Sequence, residues 1–298
     1  DHLISNKKYF FFSHTIKKQP YNRKLLRAVL DKNIELYDHE VITNSKGQRL
    51  VAFGRYAGIV GAYNGIRAYG LKFGSFQLPK AETLTDQQAL ISELRKVKLP
   101  NIKILLTGRG RVGNGAKEIL MGMKMKEVNV TDYLNKNFDQ SVFCQIDISE
   151  YNKRKDGIRG DGAPFLFTRE DAKHPDFKIK VVADVSCDID GPVATTIRPS
   201  TIADPIYGYD PNTASEIDYK DAKAIAVMAV DNLPCELPRD ASVGFGQAFV
   251  KFVIPAFFNG DADGVLERAR MTKNGKLTKR YAYLQDYVDG KGVVSSNL

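Results

Sequence analysis

An apolar run, Ile102-Lys103-Ile104-Leu105-Leu106-Thr107, stops in Gly108-Arg109-Gly110-Arg111-Val112-Gly113, and a helix-forming stretch, Gly115-Ala116-Lys117-Glu118-Ile119-Leu120, follows at once. Strand, glycine turn and helix in this order meet the needs of a dinucleotide pyrophosphate. The first glycine, Gly108, permits the tight turn. Gly110 lets backbone approach phosphate with no Cβ in the way, and Gly113 lets the helix pack close to the strand. The helix N-terminus offers unpaired N–H groups and a positive dipole end. A G-x-G-x-x-G alone is a weak signal, and its strand context gives it weight here.

An acid is expected about 20 residues on, at the end of the second strand, to bind the adenosine ribose. Asp132 follows Gly108 by 24 positions, after the short, partly apolar Glu127-Val128-Asn129-Val130. There it would accept from the ribose hydroxyls and repel a 2′-phosphate, which favours NAD over NADP. A second role is open to it, capping a helix at Tyr133-Leu134-Asn135.

The 298 residues and 43% apolar content suit one large or two medium domains with real cores. No apolar run approaches the roughly 20 residues of a membrane span. Tyr9-Phe10-Phe11-Phe12 is too short, and wrongly flanked, for a signal peptide. Cys144, Cys187 and Cys235 are odd in number and scattered, which argues for a reducing, cytoplasmic setting without disulfides. No His–Cys cluster suggests metal. The net charge of +9 lacks the interleaved aromatics of a nucleic-acid surface. It fits steering of an anionic cofactor and a polycarboxylate substrate.

Along the chain, residues 21–38 read as a helix leading into a strand, Ile34 to Tyr37. Val41–Thr43 and Leu50–Phe53 read as extended pieces joined by a polar turn. Gly58, Gly61, Ala62, Gly65 and Ala68 recur at spacings of three and four, which predicts a long interdomain helix packed very close to another element. A helix is expected at 85–97, a strand at 142–146 and a helix at 241–258. Residues 152–162 are polar and loop-like. Two buried strands end in polar groups: 177–186, with Asp184 and Ser186, and 224–231, with Asp231. Open α/β sheets bind ligands at such carboxyl ends, and loop or capping roles are equally open to these acids.

Taken in order, Phe12-Ser13-His14-Thr15-Ile16-Lys17-Lys18-Gln19, Lys46-Gly47-Gln48-Arg49-Leu50-Val51-Ala52-Phe53-Gly54, the glycine motif, Ala183-Asp184-Val185-Ser186-Cys187-Asp188, Val230-Asp231-Asn232-Leu233-Pro234 and Leu237-Pro238-Arg239-Asp240-Ala241-Ser242 resemble the NAD-dependent, lysine-forming saccharopine dehydrogenases, a branch of the alanine dehydrogenase superfamily. The resemblance covers most of the chain. It implies an α/β fold of two Rossmann-like lobes with parallel sheets, the active site in the cleft between them. The expected lobes are 1–75 with 236–298, for substrate and catalysis, and 76–235, for NAD. The implied reaction cleaves saccharopine to lysine and 2-oxoglutarate with hydride transfer to NAD.

His14 matches the family's acid–base histidine, and imidazole titrates where such proton transfers are needed. A structural histidine bonded to backbone is the plainer reading of the residue itself. Arg49 matches a substrate arginine, suited to carboxylates, and is otherwise a hairpin-surface residue. Gln19 and Phe53 match substrate-lining positions, with Asp184 and Ser186 at another strand end. Gly108, Gly110, Arg111, Gly113 and Asp132 match the cofactor site, as do Val230, Asp231, Asn232 and Leu233. Three departures stand out. The family's partner lysine and a further substrate arginine lie in an N-terminal segment ahead of the first residue here. The stretch between Asn152 and Pro164 is shorter than the family's, which includes a sheet strand. Gln48 stands where related enzymes can carry arginine. Competing expectations are another amino-acid dehydrogenase, such as an alanine dehydrogenase, and a catalytically silent NAD-binding protein. A membrane or nucleic-acid partner is not expected.

Overall fold

The computed structural model describes residues 2–151, 165–189 and 191–291. Its contacts divide the chain into two units, one of residues 1–52 with 243–298 and one of residues 53–242. Each is built from α/β elements.

The chain opens in the first unit with β1 (Lys8–Phe11), α1 (Arg23–Asp31) and β2 (Glu35–Asp38). β1 and β2 are parallel, with Phe11 opposite Asp38, so both carboxyl ends meet at one edge. The expected helix-to-strand reading of 21–38 holds. Leu26 and Val29 of α1 are fully buried with Ile34 and Leu36. Val41–Thr43 differs from the extended piece expected. A 3-10 turn spans His39–Val41 because the Asp38 side chain accepts from the Glu40 N–H and starts a turn there. Only Thr43 then bridges to Arg49 across the hairpin.

The second unit begins with α2 (Gly54–Phe73) and α3 (Gln87–Leu94), the latter capped by Asp86. Next come β3 (Lys103–Thr107), α4 (Arg111–Gly122), β4 (Lys126–Glu127), α5 (Val130–Asn135) and β5 (Val142–Ile146). After α6 (Ile148–Tyr151) and α7 (Arg169–Lys173) follow β6 (Val181–Ala183), β7 (Ile206–Asp210), β8 (Ser215–Ile217) and β9 (Ile225–Met228). The chain returns to the first unit through α8 (Pro238–Phe252). It closes there with α9 (Val265–Ala269), the hairpin β10 (Thr272–Lys273) and β11 (Lys276–Leu277), and α10 (Gln285–Asp289).

Two sheets lie in the second unit. One is parallel, in the order β3-β5-β4. The other runs β6-β9-β7-β8, with β6 parallel to β9 and the rest antiparallel. The strand expected over 177–186 is only the three residues of β6.

α2 is the long helix that the glycine spacing predicts, and it belongs wholly to the second unit rather than linking two lobes. The reason is backbone contact. A Cβ on Gly58 would stand 1.9 Å from the Val112 carbonyl oxygen, and one on Gly115 would stand 2.0 Å from that of Arg55. α2 and α4 therefore touch main chain to main chain, which only glycine allows. The division falls at 52/53 and 242/243, not at 75 and 236, because this contact ties 54–73 to the nucleotide-type sheet. The expected shortening between Asn152 and Pro164 lies outside the described residues. Among the described residues no helix is long and apolar enough to cross a membrane. Nor is there a group of three His, Cys, Asp or Glu placed to hold a metal ion.

Candidate cofactor and acid–base sites

In the second unit the glycine turn leaves β3 at the carboxyl edge of its sheet. Gly108 has φ +89°, the left-handed region open to glycine, and its N–H bonds the Ile146 carbonyl at 2.7 Å. Gly113 is fixed by space: a Cβ there would stand 2.0 Å from the Gly108 carbonyl oxygen. At Gly110 a Cβ would meet nothing within 4 Å. This residue starts α4 without a side-chain cap. α4 thus starts, uncapped, beside a residue that has no side chain and open space at its Cβ position, which suits the approach of a phosphate oxygen.

Neighbouring side chains hold the turn. Gln145 Nε2 donates to the Gly108 carbonyl at 2.9 Å, and Asn114 Nδ2 to the Arg109 carbonyl at 3.0 Å. Arg109 folds back, donating to the Gln145 carbonyl at 2.8 Å and to Glu150 at 3.2 Å. Arg111 is exposed at the start of α4.

Asp132 does not end a strand. It lies in the first turn of α5, where the Asn129 side chain accepts from its N–H at 2.8 Å and its carboxylate pairs with Lys136 at 2.9 Å. Asn129, not Asp132, caps that helix. β4 ends in Glu127, which pairs with Lys117 at 2.7 Å. The strand beside β3 is β5, and Ile146 stands opposite Thr107. Asp147 therefore emerges at the same edge as Gly108, half-buried, its Oδ1 accepting from the Ile148 N–H at 2.8 Å. Asp147, not Asp132, follows the strand that pairs with β3. Sequence spacing missed it because β4 and α5 intervene between α4 and the neighbouring strand. The signal was present, since the wholly buried Val142–Ile146 runs straight into an acid.

At the second sheet, Asp184 is buried and satisfied. It accepts from Ser186 N–H and Oγ at 3.0 and 2.6 Å and from Thr196 Oγ1 at 2.6 Å. It shapes the turn after β6. Ser186, with its Oγ committed to Asp184, is the exposed member. After β9, Val230 bridges to Ser200, and Val230 and Leu233 are 1% and 2% exposed. Asp231 and Asn232 between them are exposed, so they carry the side chains able to meet a ligand. Phe53 sits at the start of α2, half-buried against the unit's main core.

In the first unit His14 follows β1 at the carboxyl edge, with φ +54°. Its side chain is 49% exposed, and Nδ1 lies 3.3 Å from Glu40 Oε2. Lys17 Nζ lies 3.8 Å from the other oxygen of Glu40. Behind them the fully buried Asp38 accepts from Ser13 N–H and Ser13 Oγ. Burial pushes the Asp38 carboxyl up from its ordinary value, against the pull of those bonds. His39 is packed by the rings of Phe12 and Phe245 at 5.0 and 5.1 Å, and burial pushes its imidazole down. The edge thus pairs an accessible imidazole with a carboxylate whose side chain is only 10% exposed. Glu40 was not expected from the sequence, although it lies two residues past the end of an apolar strand.

Gln19 begins a 3-10 turn, its side chain accepting from Tyr21 Oη at 2.5 Å and its carbonyl from Tyr287 Oη at 2.5 Å. Arg49 is exposed on the hairpin opposite Thr43, and Gln48 accepts from Asn44 Nδ2 at 2.9 Å in the same turn.

No family model matches the chain. The mitochondrial alpha-aminoadipic semialdehyde synthase of Rattus norvegicus is 27% identical over 365 residues, covering 95% of this chain and 39% of that protein. The Arabidopsis thaliana alpha-aminoadipic semialdehyde synthase is 24% identical over 95% of this chain and 34% of its own length. The chain thus spans about two fifths of the first of these relatives. An alignment of 365 positions also exceeds the 298 residues here, so that relative carries residues without a counterpart in this chain. The NAD+-dependent, L-lysine-forming saccharopine dehydrogenase of Candida glabrata is 28% identical over 256 residues, 78% of this chain and 64% of that enzyme. Among solved structures, an L-alanine dehydrogenase matches with a TM-score of 0.55 and 13% identity, over 97% of this chain and 76% of that one. The α/β fold is therefore shared with that enzyme.

Proposed function

We propose that this chain is an NAD-dependent amino-acid dehydrogenase that cleaves saccharopine to lysine and 2-oxoglutarate. The single observation that carries the reading is the turn from β3 to α4, with open space over Gly110 and an uncapped helix start beside it. The similarity to the Candida glabrata enzyme over 78% of the chain supports the choice of substrate.

The glycine turn fits the pyrophosphate: Gly108, Gly110 and Gly113 supply close backbone, and Arg111 adds positive charge at the helix start. Asp147 is the residue proposed for the adenosine ribose, in place of Asp132. Val230, Asp231, Asn232 and Leu233 line the cofactor at the end of β9, through backbone at Val230 and Leu233. When bound, NAD supplies the hydride acceptor for the C–H bond beside the secondary amine of saccharopine.

The chain's own residues then handle water and protons. His14, with Nδ1 3.3 Å from Glu40 Oε2, moves a proton as water adds to the imine carbon and the lysine amine departs. Atoms balance as saccharopine, NAD and water giving lysine, 2-oxoglutarate, NADH and a proton. In the first unit Arg49 is the residue proposed for a substrate carboxylate, with Gln19 as a lining group; in the second unit Phe53 is proposed as a lining group. Ser186, oriented by Asp184, is a polar contact.

NADH oxidation with lysine plus 2-oxoglutarate tests the reading, against pyruvate plus ammonium. Turnover with the first pair that is lost in His14→Ala supports it. Turnover only with the second pair makes the chain an alanine dehydrogenase. NADH binding without turnover of either pair makes it a silent cofactor binder.

A further inference from the structure

One buried ionisable group in the second unit has no part in the chemistry proposed above. Glu236 ends the 3-10 turn Leu233–Glu236 that follows Asp231 and Asn232, and it is 3% exposed. Its Oε1 accepts from Asn64 Nδ2 at 2.8 Å, and Asn64, on the inner face of α2, is also 3% exposed. The same face of α2 carries Gly61, where a Cβ would stand 3.4 Å from Leu233 Cδ1 and 2.5 Å from Val185 Cγ2. One helix face thus underlies the turns that follow β6 and β9, and one hydrogen bond ties it to the end of the second.

We propose that Glu236, held by Asn64, is a positioning residue for the Asp231–Asn232 turn, and that its charge state sets how firmly that turn is seated. The link to cofactor affinity rests on the function proposed above. The link to the turn itself does not.

Little around Glu236 repays an ionised carboxylate. Arg67 of α2 and Lys80 favour the charged form, and Glu82 opposes it. Lys80 is itself 3.7 Å from Glu82, which divides its effect. Tyr63 of α2 stays a neutral phenol, its hydroxyl bonded to the Pro79 carbonyl at 2.8 Å and pushed up by burial. Burial dominates at Glu236 and pushes its carboxyl to about 7. Below that pH the neutral acid is tolerated in a turn where Leu233, Leu237 and Ala241 are buried as well. Above it, a charge with one protein donor at Oε1 draws the turn toward water.

Hydrogen exchange reads the turn directly, through the Cys235 and Leu237 amides, which bond the Asn232 and Pro234 carbonyls at 3.0 and 3.2 Å. After correction for intrinsic rates, their protection in the wild type is expected to fall about threefold or more from about pH 6 to about pH 8. In Glu236→Gln, which cannot ionise, protection stays at the low-pH level. NADH fluorescence titration should follow the same pattern, with affinity falling in the wild type and flat in the variant. Asn64→Ala supplies a second variant: losing a donor to the carboxylate moves the wild-type midpoint to higher pH. Equal pH dependence of exchange in wild type and Glu236→Gln overturns the proposal, as does an unmoved midpoint in Asn64→Ala. An exchange difference without any NADH binding leaves the positioning intact and removes the dehydrogenase reading instead.

Discussion

His14 Nδ1 lies 3.3 Å from Glu40 Oε2, and Glu40 is set by the turn that Asp38 starts. One imidazole nitrogen faces a nearly buried carboxylate, a charge contact made without a hydrogen bond. His14→Ala should lower kcat about a hundredfold or more while NADH affinity stays within about twofold, as expected for general acid–base loss. Glu40→Gln keeps shape but removes the charge that faces the ring, and should lower kcat about tenfold with little change in KM. Steady-state kinetics beside NADH titration separate these outcomes. A loss of NADH binding in either variant would move both residues out of the acid–base role.

The carboxylates at 132 and 147 make opposite predictions. Asp147→Asn should weaken NADH about tenfold, in keeping with a hydrogen-bonded charged group. Asp132→Asn removes an exposed pair with Lys136 and should change binding less than about twofold. Equilibrium titration of both variants decides between them, and the reverse ranking would restore Asp132 to the ribose.

Two glycines of α2 and α4 provide a matched contrast. Gly58→Ala drives a methyl group into the Val112 carbonyl, 1.9 Å away, and should cost about 2 kcal/mol or more in urea unfolding. Gly110→Ala adds a methyl where nothing lies within 4 Å and the backbone φ is −78°. It should leave stability within about 0.5 kcal/mol of wild type while weakening NADH. A fall in stability at Gly110, or none at Gly58, would contradict the packing described.

Glu236 and Asp38 give stability a common pH sign. Both are buried and hold their protons above the ordinary carboxylate range in the folded state. The unfolded state gives up those protons sooner, so the stability they lend is complete below the ordinary values and is lost as pH rises through the folded ones. For Glu236 that window runs from 4.5 to about 7. Glu236→Gln should therefore be more stable than wild type above the window, by about 3 kcal/mol if the whole shift is realised. Denaturant midpoints at about pH 5 and about pH 8 check this. Wild type gaining on the variant as pH rises would reverse the assignment.

The turn from β3 to α4 and the middle of α2, residues 57–68, were legible because their determinants are local. Gly108, Gly110 and Gly113 announce a turn by spacing alone, and the glycines of α2 announce close contact by helical periodicity. Sheet order was not local. β4 is two residues long, too short for any period to appear, so nothing in the sequence said that β5 and not β4 neighbours β3. Spacing from the glycine turn therefore points to Asp132, while the strand beside β3 ends at Asp147. Asp184 looked available at a strand end, yet Thr196, twelve positions later, donates to its second oxygen. Glu40 was hidden for a related reason: its tie to His14 spans 26 positions and depends on β1 and β2 pairing in parallel.

Helices that touch through side chains can loosen by degrees, one rotamer at a time. α2 and α4 have no such slack where Gly58 meets Val112 and Gly115 meets Arg55, for carbonyl oxygens do not change rotamer. The pair is either docked or apart. Sliding one along the other would carry main chain past main chain at both crossings. The amides near these crossings should exchange last in the second unit and open together. Looser motion in this unit is then left to the turns at the sheet edges.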